Sequence, residues 1–219
     1  MKKSPAINDL LKVMARLRSP TGCPWDREQD HMTLRRHAIE EVYELIDSIE
    51  AGDDGEMAEE LGDLLLQVVF HCQLAQERGA FNFEKVTREL VNKLIRRHPH
   101  VFATTKVKNI DEVWANWEKI KRAEKTGTHR ERPSALDGIP KHLPALLRAE
   151  KLVKKAQKAN LAPAAKNPAK KSSKSLLAKE LFELATLAQA QGWCAEELLA
   201  TEIKQRERQW RKLEKTKAP

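Results

Sequence analysis

Three cysteines in 219 residues, Cys23, Cys72 and Cys194, are too few and odd in number for a disulfide framework. None sits in a CxxC pair, so a cysteine-based zinc site is not expected either, and the cytosol is the expected compartment. Only eight glycines are present, which excludes collagen-like and Gly-rich chains. Aromatics make up 5%, and no strand-length alternation of apolar and polar residues stands out, which argues against a β-sandwich or barrel. The longest apolar stretch free of charge, Leu64 to Gln76, is too short and too polar to span a bilayer. Lys2 and Lys3 lead into Ser4 and Pro5 rather than an apolar run, so no signal peptide is expected. There is no GxxxxGK[ST] and no GxGxxG, so no Gly-rich loop is available to cradle phosphates.

What is abundant is Leu, Ala, Glu, Lys and Arg, the composition of a helical protein. Apolar spacing predicts an all-α antiparallel bundle. A first helix is expected over residues 7–18, followed by a loop from Ser19 to His31 broken by Pro20, Gly22 and Pro24. Thr33 is the expected N-cap of a second helix, with the stripe Leu34, Ala38, Val42, Leu45, Ile46 and Ile49, ended by Gly52. Asp53 or Asp54 should cap a third helix, running to about Arg78 with Met57, Leu61, Leu64, Leu65, Val68 and Val69 as its face. Asn82 opens a fourth, stopped by Pro99, and Asp111 a fifth, to about Ala123. Beyond a loop at 126–144, helices are expected from Leu146 to Ala159, Leu176 to Gln191 and Ala195 to Lys215. A lysine-rich flexible linker is expected near 160–174.

Charge is unevenly placed. The net of +8 divides into −2 for residues 1–110 and +10 for residues 111–219, and residues 151–174 hold eight lysines and no acid. A lysine run without interleaved aromatics or a recognised motif argues against a nucleic-acid partner.

The most informative pattern lies on the second and third helices. Glu40, Glu41 and Glu44 are followed by Glu56, Glu59, Glu60 and Asp63. Residues three or four apart share a helix face, so Glu41 projects with Glu44 and Glu60 with Asp63. The turn Gly52-Asp53-Asp54-Gly55 lets the two helices fold back, and four carboxylates can converge across one groove. A solvated surface helix usually sets Lys or Arg four residues after Glu; here Glu44 follows Glu40, Glu60 follows Glu56 and Asp63 follows Glu59. Each like-charge pair costs roughly 0.2–0.5 kcal/mol, and a bound cation is the simplest compensation. Clustered carboxylates suit the hard ions Mg²⁺ or Mn²⁺. A di-iron site would need two ExxH motifs, and only Glu28 to His31 fits, in a loop. His71 reads as a satisfied, partly buried histidine. Downstream, Lys93, Arg96, Arg97, His98 and His100 are candidate anion binders, with Lys93 and Arg97 on one face. Trp114 and Trp117 share a face that is either core packing or a platform for a base.

EEVYE at 40–44 followed by ELGD at 60–63 resembles the EExxE…ExxD signature of the MazG-type nucleoside triphosphate pyrophosphohydrolases. GCPWDREQD at 22–30, RRHPHVF at 96–102, WEKIK at 117–121 and SALDGIPKHLPALLRAEKL at 134–152 are similar to MazG proteins as well, so the likeness covers roughly residues 7–155. The resemblance implies an all-α NTP pyrophosphatase fold that dimerises, and Mg²⁺-dependent hydrolysis of an NTP to NMP and pyrophosphate. It implies metal binding by Glu41, Glu44, Glu60 and Asp63. It places Glu40 beside the metal, where it could orient or deprotonate a water. It puts Lys93 and Arg97 at a phosphate-contacting pair, with Arg96 beside them, and Trp117 by the nucleotide. The expected organisation is a MazG-type domain over 1–130 and a degenerate second MazG-like helical unit over 131–219. In that second unit Glu180-Leu181-Phe182-Glu183 stands as a relic of Glu60-Leu61-Gly62-Asp63. The competing reading is a non-catalytic nucleotide-sensing or interaction protein on a decayed MazG fold.

Overall fold

Every regular element of the computed structural model is a helix among the residues it describes, 5–128, 131–162 and 173–217. In chain order these are α1 (Ala6–Leu17), α2 (Pro24–Glu28), a 3-10 turn (Thr33–Arg35), α3 (His37–Ala51), α4 (Asp54–Glu77), α5 (Phe83–Arg97), α6 (Pro99–Phe102), α7 (Ile110–Ala123), α8 (Ala145–Lys158), α9 (Lys174–Ala190) and α10 (Ala195–Lys217). The chain divides into two units, Met1–Ile120 and Lys121–Pro219.

In the first unit Gly52, at φ +70°, ends α3 in the left-handed conformation that glycine adopts freely. Asp53 then caps α4, its carboxylate accepting from the N–H groups of Gly55 and Glu56. The two-residue turn makes α3 and α4 an antiparallel hairpin. α1 packs against α4, where Met14, Leu34, Val69, Phe70 and Leu74 form the core with Leu10, Leu11, Leu66 and Phe83 around them. Asn82 caps α5 through the Lys85 N–H, as its sequence position predicts.

Several expectations need correction. The segment from Ser19 to His31 is not all loop: Pro24 starts the short helix α2, having no N–H to leave unsatisfied in a first turn. Thr33 does not cap α3. It sits in the 3-10 turn, whose start is capped by Asp30, with Oδ1 accepting from the N–H groups of Met32 and Thr33. Pro99 does not merely stop α5; it opens the one-turn α6. Asn109, not Asp111, caps α7, accepting from Glu112 N–H while the Glu112 carboxylate takes Lys108 N–H. The apolar stripes of α3 and α4 are only partly buried: Val42, Ile46, Ile49, Leu61, Leu65 and Val68 remain exposed.

The GCPWDREQD segment is pinned from beneath. Gly22 lies so close under α1 that a Cβ would fall 2.0 Å from the Leu17 carbonyl oxygen. Arg18 stacks over Phe70, pairs with Glu77 through Nε and Nη2 at 2.7–3.0 Å, and donates from Nη1 to the carbonyls of Asp26 and Gln29. One guanidinium thus ties α1, α2 and α4 together.

In the second unit α8 packs on α10, with Leu136, Ala145, Leu152, Ala156, Leu161 and Ile203 buried between them. The residues of the SALDGIP segment are held by polar contacts. Glu214 accepts from Ser134 Oγ and Ala135 N–H, and Arg211 bridges Asp137 and Glu207 at 2.8 Å each. Arg148, nearly buried, pairs with Glu207 at 2.6 Å. Ser173 caps α9, which leaves most of its leucines exposed. Most of the expected linker, residues 163–172, lies outside the described residues.

Candidate metal centre

The α3–α4 hairpin sets two helix faces opposite one another, and acidic side chains meet between them. Glu41 from α3 and Glu60 and Asp63 from α4 each offer a carboxylate oxygen, all within 4.8 Å of one another. All three are half-buried. Burial raises the pKa of Glu41, with Asp63 and then Glu44 adding to it. Glu60 is raised likewise, by desolvation first and then by Glu44, Asp63 and Glu41. Glu44 is thus electrostatically part of the cluster, though it is exposed and stands outside the three oxygens that converge. Glu40 points elsewhere: its carboxylate takes His37 Nδ1 at 3.2 Å at the surface.

A second grouping joins α5 to α7. The Arg97 guanidinium lies over the Trp117 ring, 5.2 Å from its centroid, and His98 meets the same ring edge-on at 5.0 Å. His98 Nδ1 is fixed 2.7 Å from the Leu94 carbonyl. Lys93 lies one turn before Arg97 and is half-buried; Arg96 is exposed on the neighbouring face. Trp114 is 62% exposed and does not share the half-buried environment of Trp117.

Residues 29–102, from the end of α2 through α6, match the family described as the MazG nucleotide pyrophosphohydrolase domain. This chain contains a MazG domain. The domain includes the whole acid cluster and the basic residues of α5, and ends before Trp117. A nucleoside triphosphate pyrophosphohydrolase of Escherichia coli (strain K12) is 49% identical over 150 residues, 68% of this chain and 56% of that protein. The nucleoside triphosphate pyrophosphohydrolase/pyrophosphatase MazG of Thermotoga maritima is 47% identical over the same length and shares. The chain therefore spans little more than half the length of these curated relatives. A crystal structure of a mazG-related protein from Thermotoga maritima is 25% identical, with a TM-score of 0.45, over 52% of this chain and 97% of that one.

The donor set of the MazG domain fits a hard divalent cation. Three carboxylates in mutual reach repel one another when ionised, and the raised pKa values of Glu41 and Glu60 reflect burial first and that repulsion second; a cation coordinated by oxygens offsets both. No nitrogen or sulfur ligand joins the group among the described residues, which argues against a soft metal. A shallow cavity of about 280 Å³ between α1, α4 and the start of α5, lined by Leu11, Val69, Cys72 and Phe83, shares no residue with the cluster.

Sequence reasoning passed over one polar residue of α4. Gln67 is buried, and its Nε2 donates to Glu41 Oε1 at 3.4 Å. His71, one turn on, is the satisfied histidine expected: its Nδ1 lies 2.8 Å from His31 Nδ1, the ring planes 12° apart and the centroids 5.1 Å apart. Centroids that much farther apart than the nitrogens put the rings edge to edge in one linear N–H···N bond. Desolvation, and then the charge of His31, lowers the His71 pKa. Glu60, Asp63, Gln67 and His71 recur at helical spacing along one stripe. Only the acids announce themselves in sequence; Gln67 is hidden inside the run Leu64-Leu65-Leu66-Gln67-Val68-Val69.

Proposed function

We propose that this protein hydrolyses nucleoside triphosphates to nucleoside monophosphate and pyrophosphate with Mg²⁺, or alternatively Mn²⁺, in house-cleaning or nucleotide-pool control. The observation that carries this reading is the convergence of Glu41, Glu60 and Asp63 between α3 and α4, with Glu44 alongside. Those four residues would hold the cation, which when bound supplies Lewis-acid charge to phosphoryl oxygens. Glu40, at the cluster's edge on α3, is free to turn from His37 and orient or deprotonate the attacking water. Lys93, Arg96 and Arg97 offer cations to the polyphosphate, and Trp117, already the seat of a guanidinium, offers an aromatic face to a base. The similarity to proteins named nucleoside triphosphate pyrophosphohydrolases supports the same substrate class.

The catalytic domain in this reading covers residues 1–130, and 131–219 is a degenerate second unit. Among the described residues of that unit no group of three ligating side chains forms, and Glu183 pairs with Lys179 instead. The exposed apolar residues of α3 and α4 support a homodimer through that face. No described helix is long and apolar enough to cross a membrane.

The deciding experiment is hydrolysis of a panel of NTPs with Mg²⁺ in ¹⁸O-water. Label is expected in the monophosphate, because attack is at the α phosphorus. Label only in pyrophosphate would overturn attack at the α phosphorus, and release of diphosphate and phosphate would overturn the reaction. Nucleotide binding without turnover would instead favour a sensing protein on the same fold. Lys93→Ala, Arg97→Ala and Trp117→Ala should each raise KM more than they lower kcat, since contacts made in both ground and transition state weigh on KM. Unchanged steady-state constants in all three would remove α5 and α7 from the pocket.

A further inference from the structure

Gln67 is 8% exposed, and a buried amide needs partners at both ends. Its nitrogen has one, Glu41 Oε1. Its oxygen, Oε1, has no donor within reach among the described residues. The orientation follows from chemistry: turned over, the amide would set oxygen against the Glu41 carboxylate, acceptor against acceptor. The orphan is therefore an acceptor, one turn beyond Asp63 and beside three carboxylates that also only accept when ionised. What this neighbourhood lacks is donors. A hard cation such as Mg²⁺ keeps several of its waters, each of them a donor.

We propose that Gln67 is a positioning residue of the metal centre. Its N–H holds one oxygen of Glu41, leaving the other for the cation, and its carbonyl accepts a hydrogen bond from a water or hydroxyl that enters with the cation. The inference rests on the metal reading of the acid cluster. The rival explanation is packing, in which an apolar side chain of equal size would serve as well. Residues that orient metal ligands typically cost 10–100-fold in affinity when removed.

The test is Mn²⁺ binding to the full-length protein by calorimetry and electron paramagnetic resonance, with melting temperatures in EDTA. Gln67→Leu should weaken Mn²⁺ binding about 10–100-fold, with a melting temperature in EDTA equal to or above the parent's because the orphan acceptor is gone. Gln67→Asn, which keeps both the N–H donor and the carbonyl acceptor, should retain more of the Mn²⁺ binding than Gln67→Leu. Should the leucine variant fail to fold by circular dichroism, Gln67→Met supplies the apolar comparison. Binding within twofold of the parent in a folded leucine or methionine variant would overturn the proposal, as would weakening in Gln67→Asn equal to that in Gln67→Leu. A parent that binds no Mn²⁺ would overturn the metal reading itself, a result separable from either.

Discussion

Glu41→Gln and Asp63→Asn should each abolish hydrolysis while leaving the apo fold as stable as the parent or more so. Lewis-acid charge is worth several kcal/mol of transition-state stabilisation. At a tenfold change per about 1.4 kcal/mol, its loss is roughly 10²–10³-fold in kcat/KM or more. Stability moves the other way because these acids are held at a cost. Burial and the neighbouring carboxylates raise the pKa of Glu41, so its ionised form is disfavoured in the folded state. A raised carboxylate pKa makes the fold less stable as pH rises from the ordinary value of 4.5 through the folded value. The amide removes that penalty at neutral pH, and the advantage should vanish below the ordinary value. In Mg²⁺ the order reverses, since ligand binding stabilises the parent by linkage. Melting curves with EDTA and with Mg²⁺, beside steady-state rates, check both halves. Parent-like turnover in the double variant Glu41→Gln, Glu60→Gln would return these acids to a solvated surface.

Arg18→Ala should destabilise the first unit strongly for a change outside its apolar core. The Arg18 side chain is 9% exposed and its partner Glu77 is 36% exposed. Breaking a fully buried pair costs about 3–5 kcal/mol; discounted for the exposure of Glu77, about 2–3 kcal/mol is expected. The loss also strips the carbonyls of Asp26 and Gln29 of their donor and uncovers Phe70, so α2 should loosen from α1 and α4. The pH dependence has a definite sign. Hydrogen bonds from Arg18 hold Glu77 below its ordinary 4.5. The pair's contribution is therefore present above that value and lost as pH falls through the folded pKa. Urea denaturation of parent and variant at neutral and acidic pH should show the two converging in acid; equal midpoints at neutral pH would refute the clamp.

Much of the local structure was legible because it depends on neighbours in the chain. Gly52 and Asp53 mark the hairpin turn by glycine's left-handed freedom and by the reach of a short carboxylate to the next helix's N–H groups. Asn82 marks α5 for the second reason. Glu41, Glu60 and Asp63 could be named in advance because like charges at helical spacing are unfavourable without compensation, and a two-residue turn leaves α3 and α4 little choice but to face each other. Where caps compete at close range, sequence chose wrongly. Thr33 and Asp111 are acceptable caps, and Asp30 and Asn109 reach the free N–H groups first.

Long-range partnership was decided by the tertiary structure alone. Nothing in the spacing of Arg18 and Glu77, 59 residues apart, distinguishes them from other surface charges; packing of α1 on α4 brings them together and makes the pair matter. His31 meets His71 across 40 residues, and Gln67 meets Glu41 across 26, for the same reason. Apolar periodicity says that α3 and α4 each have a greasy side, but not how much of it this chain covers, and the exposed Val42, Ile46, Leu61 and Leu65 were unforeseen. Sequence determined the helices, their turns and the acids, since these follow from backbone geometry and near-neighbour charge. Which side chains are buried, and which buried polar groups lack a partner, depends on contacts between distant segments, and only the folded chain could decide that.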